Sequence, residues 1–228
     1  MRKYINVILP VIIILSAILI YLSTVGIKTN KFNKLINNKV KEFNPELSLK
    51  INEVFIKLDI PKRIVKINTS GPKVTIADQH LNLSNIEVNL NPIKFLNNEN
   101  SILQIKVTTK KNSIKNLTNF LNSYQFNLRR FIIYNQIKKG NIIATAKIIP
   151  DKNNKKKYRY EIKGKIRDAS LNILDKSKVQ NINFNFGIKN ENLELKKIDF
   201  KFNKIKILSK ILKINKVEKG FKVEGGFK

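Results

Sequence analysis

The sequence predicts a mainly β protein, with an N-terminal transmembrane helix followed by a curled, bulged antiparallel sheet carrying two short helices. Three observations predict it. The stretch Ile5 to Ile27 carries no charge, and Arg2, Lys3 and Lys28 bracket it. From Leu47 the apolar residues recur every second position, the period of a strand with one buried face. A ten-residue alternation that skips one residue midway occurs in Leu81–Leu90 and again in Leu193–Phe202. Direct counting gives roughly 0.2 such matches by chance in a chain of this length and apolarity.

Residues 1–4 form a short tail. Residues 5–27 span roughly 33 Å as a helix, enough for the ~30 Å hydrocarbon core of a bilayer. A secretory signal peptide has a shorter apolar core, and the one candidate cut, after Gly26 with Thr24 two residues before it, is weak. A retained anchor is therefore expected, with Pro10 and Ser16 tolerated inside it. Residues 28–45 read as an amphipathic connector helix that Pro45 ends. Phe32, Leu35, Ile36, Val40 and Phe43 share its apolar stripe and form the expected membrane junction.

Residues 46–228 read as one elongated β-groove domain, expected to continue beyond Lys228. The skips at Ser84-Asn85 and Lys196-Lys197 are expected bulges. One extra residue would turn every later side chain to the other face, and a bulge absorbs it while adding twist. Leu49–Leu58 and Phe126–Ile133 are imperfect copies, and Val179–Phe186 is a partial one. Plain strands are expected at Val65–Ile67, Val74–Ile76, Leu103–Val107, Ile142–Ile148 and Tyr158–Ile166. Turns fall at Ser70-Gly71-Pro72, near Asp151–Asn154 and at Glu218-Lys219-Gly220. One further helix is expected, capped by Ser113 and reaching about Ser123.

Some ten strands each show one apolar face, and two short helices cannot cover them all. Ten strands spaced ~4.8 Å apart make a sheet about 48 Å long. The sheet must close into a sandwich or leave an open apolar trough. The face that would line a trough comprises Val54, Ile56, Leu58, Ile86, Val88, Leu90, Ile142, Ala144, Ala146, Ile148, Ile198, Phe200 and Phe202.

The formal charge is +29, from 45 Lys+Arg against 16 Asp+Glu. Only six of the basic residues are Arg, the better reader of phosphate and bases, so nucleic acid is not the expected partner. Anionic lipid headgroups suit a lysine-rich surface. Charge does not fix the topology, because Arg2 and Lys3 favour one orientation and Lys28, Lys31, Lys34, Lys39 and Lys41 the other.

Residues for chemistry are sparse. The absence of Cys excludes disulfides, thiolate zinc sites and thiol nucleophiles. His80 stands alone, without neighbours at metal-ligand spacing. Asp168 beside Arg167 reads as a turn ion pair. Gly164, Gly187, Gly220, Gly225 and Gly226 read as bulge or turn residues, and Tyr158 and Tyr160 as core packing. No nucleophile elbow and no phosphate-binding glycine loop is present. Neither an enzyme, a metal site nor a cofactor is expected.

In order, the anchor, the short helix, LSLKINEVFIKLDI, GPKVTIADQHLNLSNIEVNLNPIKFL, the helix at 113–123, KKGNIIATAKI, IKGKIRDASLNI, ENLELKKIDFKF and GFKVEGGFK resemble the N-terminal part of the AsmA-like superfamily of bacterial envelope proteins, the AsmA, TamB and YhdP type. The resemblance covers nearly the whole chain. It implies a single-pass inner-membrane anchor with the β domain in the periplasm. It also implies a trough carrying phospholipid towards the outer membrane for outer-membrane biogenesis. No catalytic residues carry over, and members of this type are usually much longer. Two alternatives stand beside it: a single-anchor, β-jellyroll component of a lipopolysaccharide export bridge, and a dry structural or assembly factor of the envelope.

Overall fold

A computed structural model describes residues 2–97, 101–125, 131, 134–151, 158–173, 177–190, 192–218 and 220–228, with the side chains of 2–7, 35, 39, 43, 173 and 177 excepted. The uncharged N-terminal run is helical, forming α1 (Arg2–Thr24) with Pro10 inside it. The helix ends three residues sooner than the apolar run does. The Tyr21 carbonyl accepts hydrogen bonds from the amides of Val25 (2.9 Å) and Gly26 (3.0 Å), and Gly26 turns left-handed at φ +79°. Such a residue ends a helix, and glycine adopts it without a Cβ penalty. A Cβ on Gly26 would also lie 2.7 Å from the Phe55 ring and 2.8 Å from the Ile56 carbonyl oxygen. This glycine therefore presses the end of α1 against the sheet.

Ile27 belongs not to the helix but to β1 (Ile27–Thr29), an edge strand opposite Ile56–Val54 of β3 (Glu53–Asp59). The connector helix is correspondingly shorter than 28–45. It is α2 (Asn33–Phe43), ended by Asn44 in the extended conformation that a residue before proline prefers. Ile36 and Val40 of α2 pack on buried Leu49, Ile51 and Val54. Two asparagines of α2 hold the chain beneath it: Asn33 donates its amide to the Ile51 carbonyl (2.9 Å), and the Leu49 amide donates to Asn37 Oδ1 (2.8 Å). These bonds interrupt the ladder at Ile51-Asn52. Leu49–Leu58 is therefore not one bulged strand. It is β2 (Leu47–Lys50), which pairs with β5 (Lys73–Ile76), followed by β3, which joins the main sheet.

The main sheet continues through β4 (Ile64–Ser70), β6 (Gln79–Leu90), β7 (Ile102–Thr109), β9 (Ile137–Pro150), β10 (Tyr158–Ile173), β11 (Ser177–Lys189), β12 (Asn192–Phe202), β13 (Ile205–Val217) and β14 (Gly220–Gly225). The hydrogen-bonded order is β1-β3-β4-β6-β7-β9-β10-β11-β12-β13-β14, all antiparallel, and the two ends do not meet. Ten steps of ~4.8 Å give a sheet about 48 Å long, and the usual twist would turn its far end by roughly 200°.

The skipped residues are bulges. Leu83 lies opposite Thr109 and Asn85 opposite Thr108, so Ser84 is the extra residue of β6. In β12 the extra residue against β11 is Lys197, in β11 it is Asn181, and in β10 it is Asp168. All three sit at φ +53°. They form an oblique seam across three neighbouring strands. Asp168 is thus mid-strand rather than in a turn. Its amide donates to Asn183 Oδ1 (3.0 Å), while Arg167 gives its guanidinium to the Phe184 carbonyl (2.8 Å) and Asn185 Oδ1 (2.7 Å) instead of to Asp168.

Two helices lie between strands. In α3 (Pro92–Leu96), Asn91 Oδ1 accepts from the amides of Ile93 and Lys94, and Pro92 fills the first turn. After the short β8 (Asn112–Ser113) comes α4 (Ile114–Tyr124), where the Ser113 hydroxyl accepts from the Asn116 amide (3.0 Å) as a cap. The α3 helix is an addition to the two short helices that were expected. The imperfect copy at Phe126–Ile133 lies mostly outside the described residues, and Phe131 with 134–136 is helical. The turn residues after Asp151 and Lys219 also lie outside them.

Candidate functional site

Register places the apolar side chains in rows that cross the strands. One row runs through paired positions from Ile86 and Val107 to Ala146, Ile162, Ile188, Leu193, Ile214 and Val223. A second runs Ile27, Ile56, Ile67, Val88, Ile105, Ile148 and Tyr160. A third joins Ala144, Gly164, Phe186, Leu195 and Leu212. Side chains alternate strictly along each strand, so only the bulges keep these rows on one face past Ser84, Asp168, Asn181 and Lys197. The thirteen residues expected on the trough face all share it.

That face is only partly covered. Buried Val54, Ile142 and Ile198 lie under helices or neighbouring side chains, whereas Phe202, Tyr160 and Val223 are exposed by 36%, 38% and 60%. Tyr158 is exposed too, so neither tyrosine is packed in a core. Gly164 is not a bulge or turn residue. It sits in a regular ladder, and a Cβ there would fall 2.5 Å from the Phe186 ring and 2.7 Å from the Ile143 carbonyl oxygen. Its missing side chain lets Phe186 lie across the neighbouring strand.

Charge is confined to the opposite face in these rows. Lys163 pairs with Glu161 (2.7 Å), Lys196 with Glu194 (2.6 Å) and Lys222 with Glu224 (2.7 Å), each two residues apart on the outer side. The ammonium hydrogen bond holds each of these carboxyls below the usual range. Such exposed pairs add little stability. They mark the outer face as the charged, water-facing one. A depression of about 480 Å³ on that outer side, beside Lys163, Lys165 and Lys196, is open and charged.

The enclosed part of the inner face lies beside the end of α1. A groove of about 460 Å³ has Val54, Ile56, Val65, Ile67 and Leu90 as its floor, Phe32 and Ile36 of α2 on one flank, and Pro92, Phe95 and Leu96 of α3 on the other. Every one of these residues is apolar, and the volume is in the range of small-ligand sites. Of the expected junction residues, Phe32 and Ile36 line this groove and Val40 packs on the cluster beneath α2. The side chains of Leu35 and Phe43 lie outside the described residues. The α3 wall was missed by period-based reading because five residues are too few to show a helical period. The Asn-Pro pair, an N-cap followed by proline in the first turn, was the available signal.

Among the described residues no group of three or more His, Asp or Glu side chains could hold a metal ion, and His80 is exposed opposite Thr75. Among them also, no helix is long and apolar enough to cross a membrane. The side chains of α1 are described only from Ile8, a stretch of about 25 Å at 1.5 Å per residue. The chain matches no protein-family profile, no curated protein and no solved structure.

Proposed function

We propose that this chain is a membrane-anchored lipid conduit of the AsmA-like kind, held by α1 in the inner membrane with its β-trough in the periplasm. The trough accepts phospholipid acyl chains and serves transport towards the outer membrane. The observation that carries the reading is the set of apolar rows crossing an open sheet, beginning at an all-apolar groove beside the end of α1. A passive mechanism follows. Acyl chains lie along the rows while headgroups stay at the wet edges, and each buried methylene contributes about 0.8 kcal/mol. Continuity of the groove matters more than any single contact.

Helix α1 supports the anchor. The backbone of its 23 residues spans about 34 Å. From Ile8 to Tyr21 its apolar side chains are exposed all round, Ile12 by 53% and Ile20 by 60%. A water-facing helix carries one apolar stripe, while one apolar on every side belongs in lipid or a core. A lipopolysaccharide-bridge jellyroll needs two packed sheets, and the main strand path here is a single open one. A dry assembly factor needs a cover over the inner face.

The test is lipid extraction and mass spectrometry on the full chain purified from membranes in mild detergent. Bound phospholipid is expected in the wild type. It should be lost in a Val88→Asp/Phe200→Asp double variant that keeps its far-ultraviolet β signal. Lipid-free wild type, or unchanged lipid in the double variant, refutes the reading, and bound lipopolysaccharide in place of phospholipid transfers it to the export bridge.

A further inference from the structure

We infer that the rim of the sheet beside α1 is a second membrane contact, in which Ile60 and Ile93 enter the headgroup layer of an anionic bilayer while Lys62, Arg63 and Lys94 face its phosphates. The inference rests on the reading of α1 as a membrane helix and adds where else the protein touches the bilayer.

Strand direction places the rim. β1 leaves the end of α1 and pairs antiparallel with β3, Ile27 opposite Ile56. β3 therefore runs back towards α1, against which it packs. From Ile56 the strand continues about 13 Å to Ile60, at about 3.3 Å per residue. That distance brings the β3–β4 turn alongside the last turns of α1. β6 runs antiparallel to β4, with Leu90 opposite Val65, so α3 emerges beside the same turn.

Composition then selects the partner. Ile60 is exposed by 48% and Ile93 by 59%, and α3 has no buried residue. Exposed large apolar side chains at a loop tip are costly in water and suit a bilayer interface. Lys62, Arg63 and Lys94 are exposed among them. The acid described beside them, Asp59, is engaged by Lys66 at 2.8 Å. An apolar tip ringed by cations complements an anionic lipid surface and does not complement a cationic or neutral polar protein. Ile60 and Ile93 also lie outside the groove lining, so their contact with lipid is separable from lipid held in the trough.

The chain has no Trp, so one introduced indole reports alone. The full chain is reconstituted into phosphatidylcholine–phosphatidylglycerol vesicles whose acyl chains are brominated near the headgroup, or, for Leu15→Trp at mid-helix, near the chain ends. Four single variants are compared: Ile60→Trp and Ile93→Trp at the rim, Leu15→Trp in α1, and Leu208→Trp on the outer face of distant β13. The rim indoles are expected to emit at shorter wavelength and to be quenched at least twofold more than Leu208→Trp, the excess falling when phosphatidylglycerol is omitted. Rim quenching no greater than that of Leu208→Trp, with Leu15→Trp quenched, overturns the rim contact and leaves the anchor standing. An unquenched Leu15→Trp removes the anchor and the inference with it.

Discussion

Deleting Lys197 and replacing it by glycine should move stability in opposite directions. The residue is the extra one in β12 and holds φ +53°. Without it, Ile198, Phe200 and Phe202 turn to the outer face and Asp199 and Lys201 turn inward. Ile198 is 6% exposed, and Phe200 packs on the buried Ala169–Val179–Ile182 cluster and meets Phe227 edge-on at 6.5 Å. Exposing one buried and one half-buried side chain costs about 3–5 kcal/mol. That is a large part of the ~5–15 kcal/mol that holds a typical domain together. Lys197→Gly keeps the bulge. It relieves a left-handed backbone costing about 1–2 kcal/mol for a residue with a Cβ, against about 0.5–1 kcal/mol of extra glycine entropy. A net gain of roughly 0.5–1 kcal/mol is expected. Urea unfolding of the full chain in detergent, followed by far-ultraviolet circular dichroism, reads both. A deletion variant with the wild-type midpoint would refute the claim that bulges keep the apolar rows on one face.

Gly164→Ala should destabilise by about 1–3 kcal/mol, since overpacking against Phe186 and the Ile143 carbonyl outweighs the entropic gain. Adding Phe186→Leu should recover part of the loss in the same unfolding assay, and no recovery would dissociate the two residues. Asn91→Ala removes the cap of α3 at about 1 kcal/mol. Faster hydrogen exchange at the amides of Ile93 and Lys94 is the expected readout, and unchanged exchange would count against the cap. The hydrogen bond from Lys66 is the main cause that holds Asp59 below its ordinary 3.8. A lowered folded-state value means this contribution is present above the unfolded value and fades as pH falls from about 4 through the folded one. Asp59→Asn should lower stability at neutral pH and leave it unchanged once the pH is below the folded value, flattening the acid limb between them, so a loss that stays undiminished at low pH would contradict the pairing.

The long strands were legible because their signal is redundant. Leu81–Leu90 and Leu193–Phe202 each carry five apolar side chains in alternation, and the skip locates a bulge to within a residue. All thirteen expected trough residues share a face for the same reason. Reading failed where a tertiary contact overrides the period. Leu49–Leu58 has the alternation of one strand, yet Asn33 and Asn37, on a helix more than ten residues earlier, take the backbone groups that would continue the ladder. Ile27 is as apolar as the helix before it, and Gly26 against Phe55 decides that it becomes strand. Gly164 has no local sign of its role, because the ring it makes room for lies twenty-two residues away in sequence. The groove beside α1 is hidden for a similar reason. Its walls come from α2, three strands and α3, and no single window of sequence contains them.

From β9 to β14 every ladder joins a strand to the next one in the chain. That order governs how the sheet assembles. Each pairing closes a loop of only a few residues, and loop-closure entropy grows with length, so no step waits for a distant partner. Local pairing of this kind belongs to the fast end of β-protein folding. Hairpins can add in the order of synthesis, each laid down on an edge already formed. Among the described residues the last such edge is β14, whose residues Gly220–Gly225 are all solvent-exposed and offer a template for a further strand.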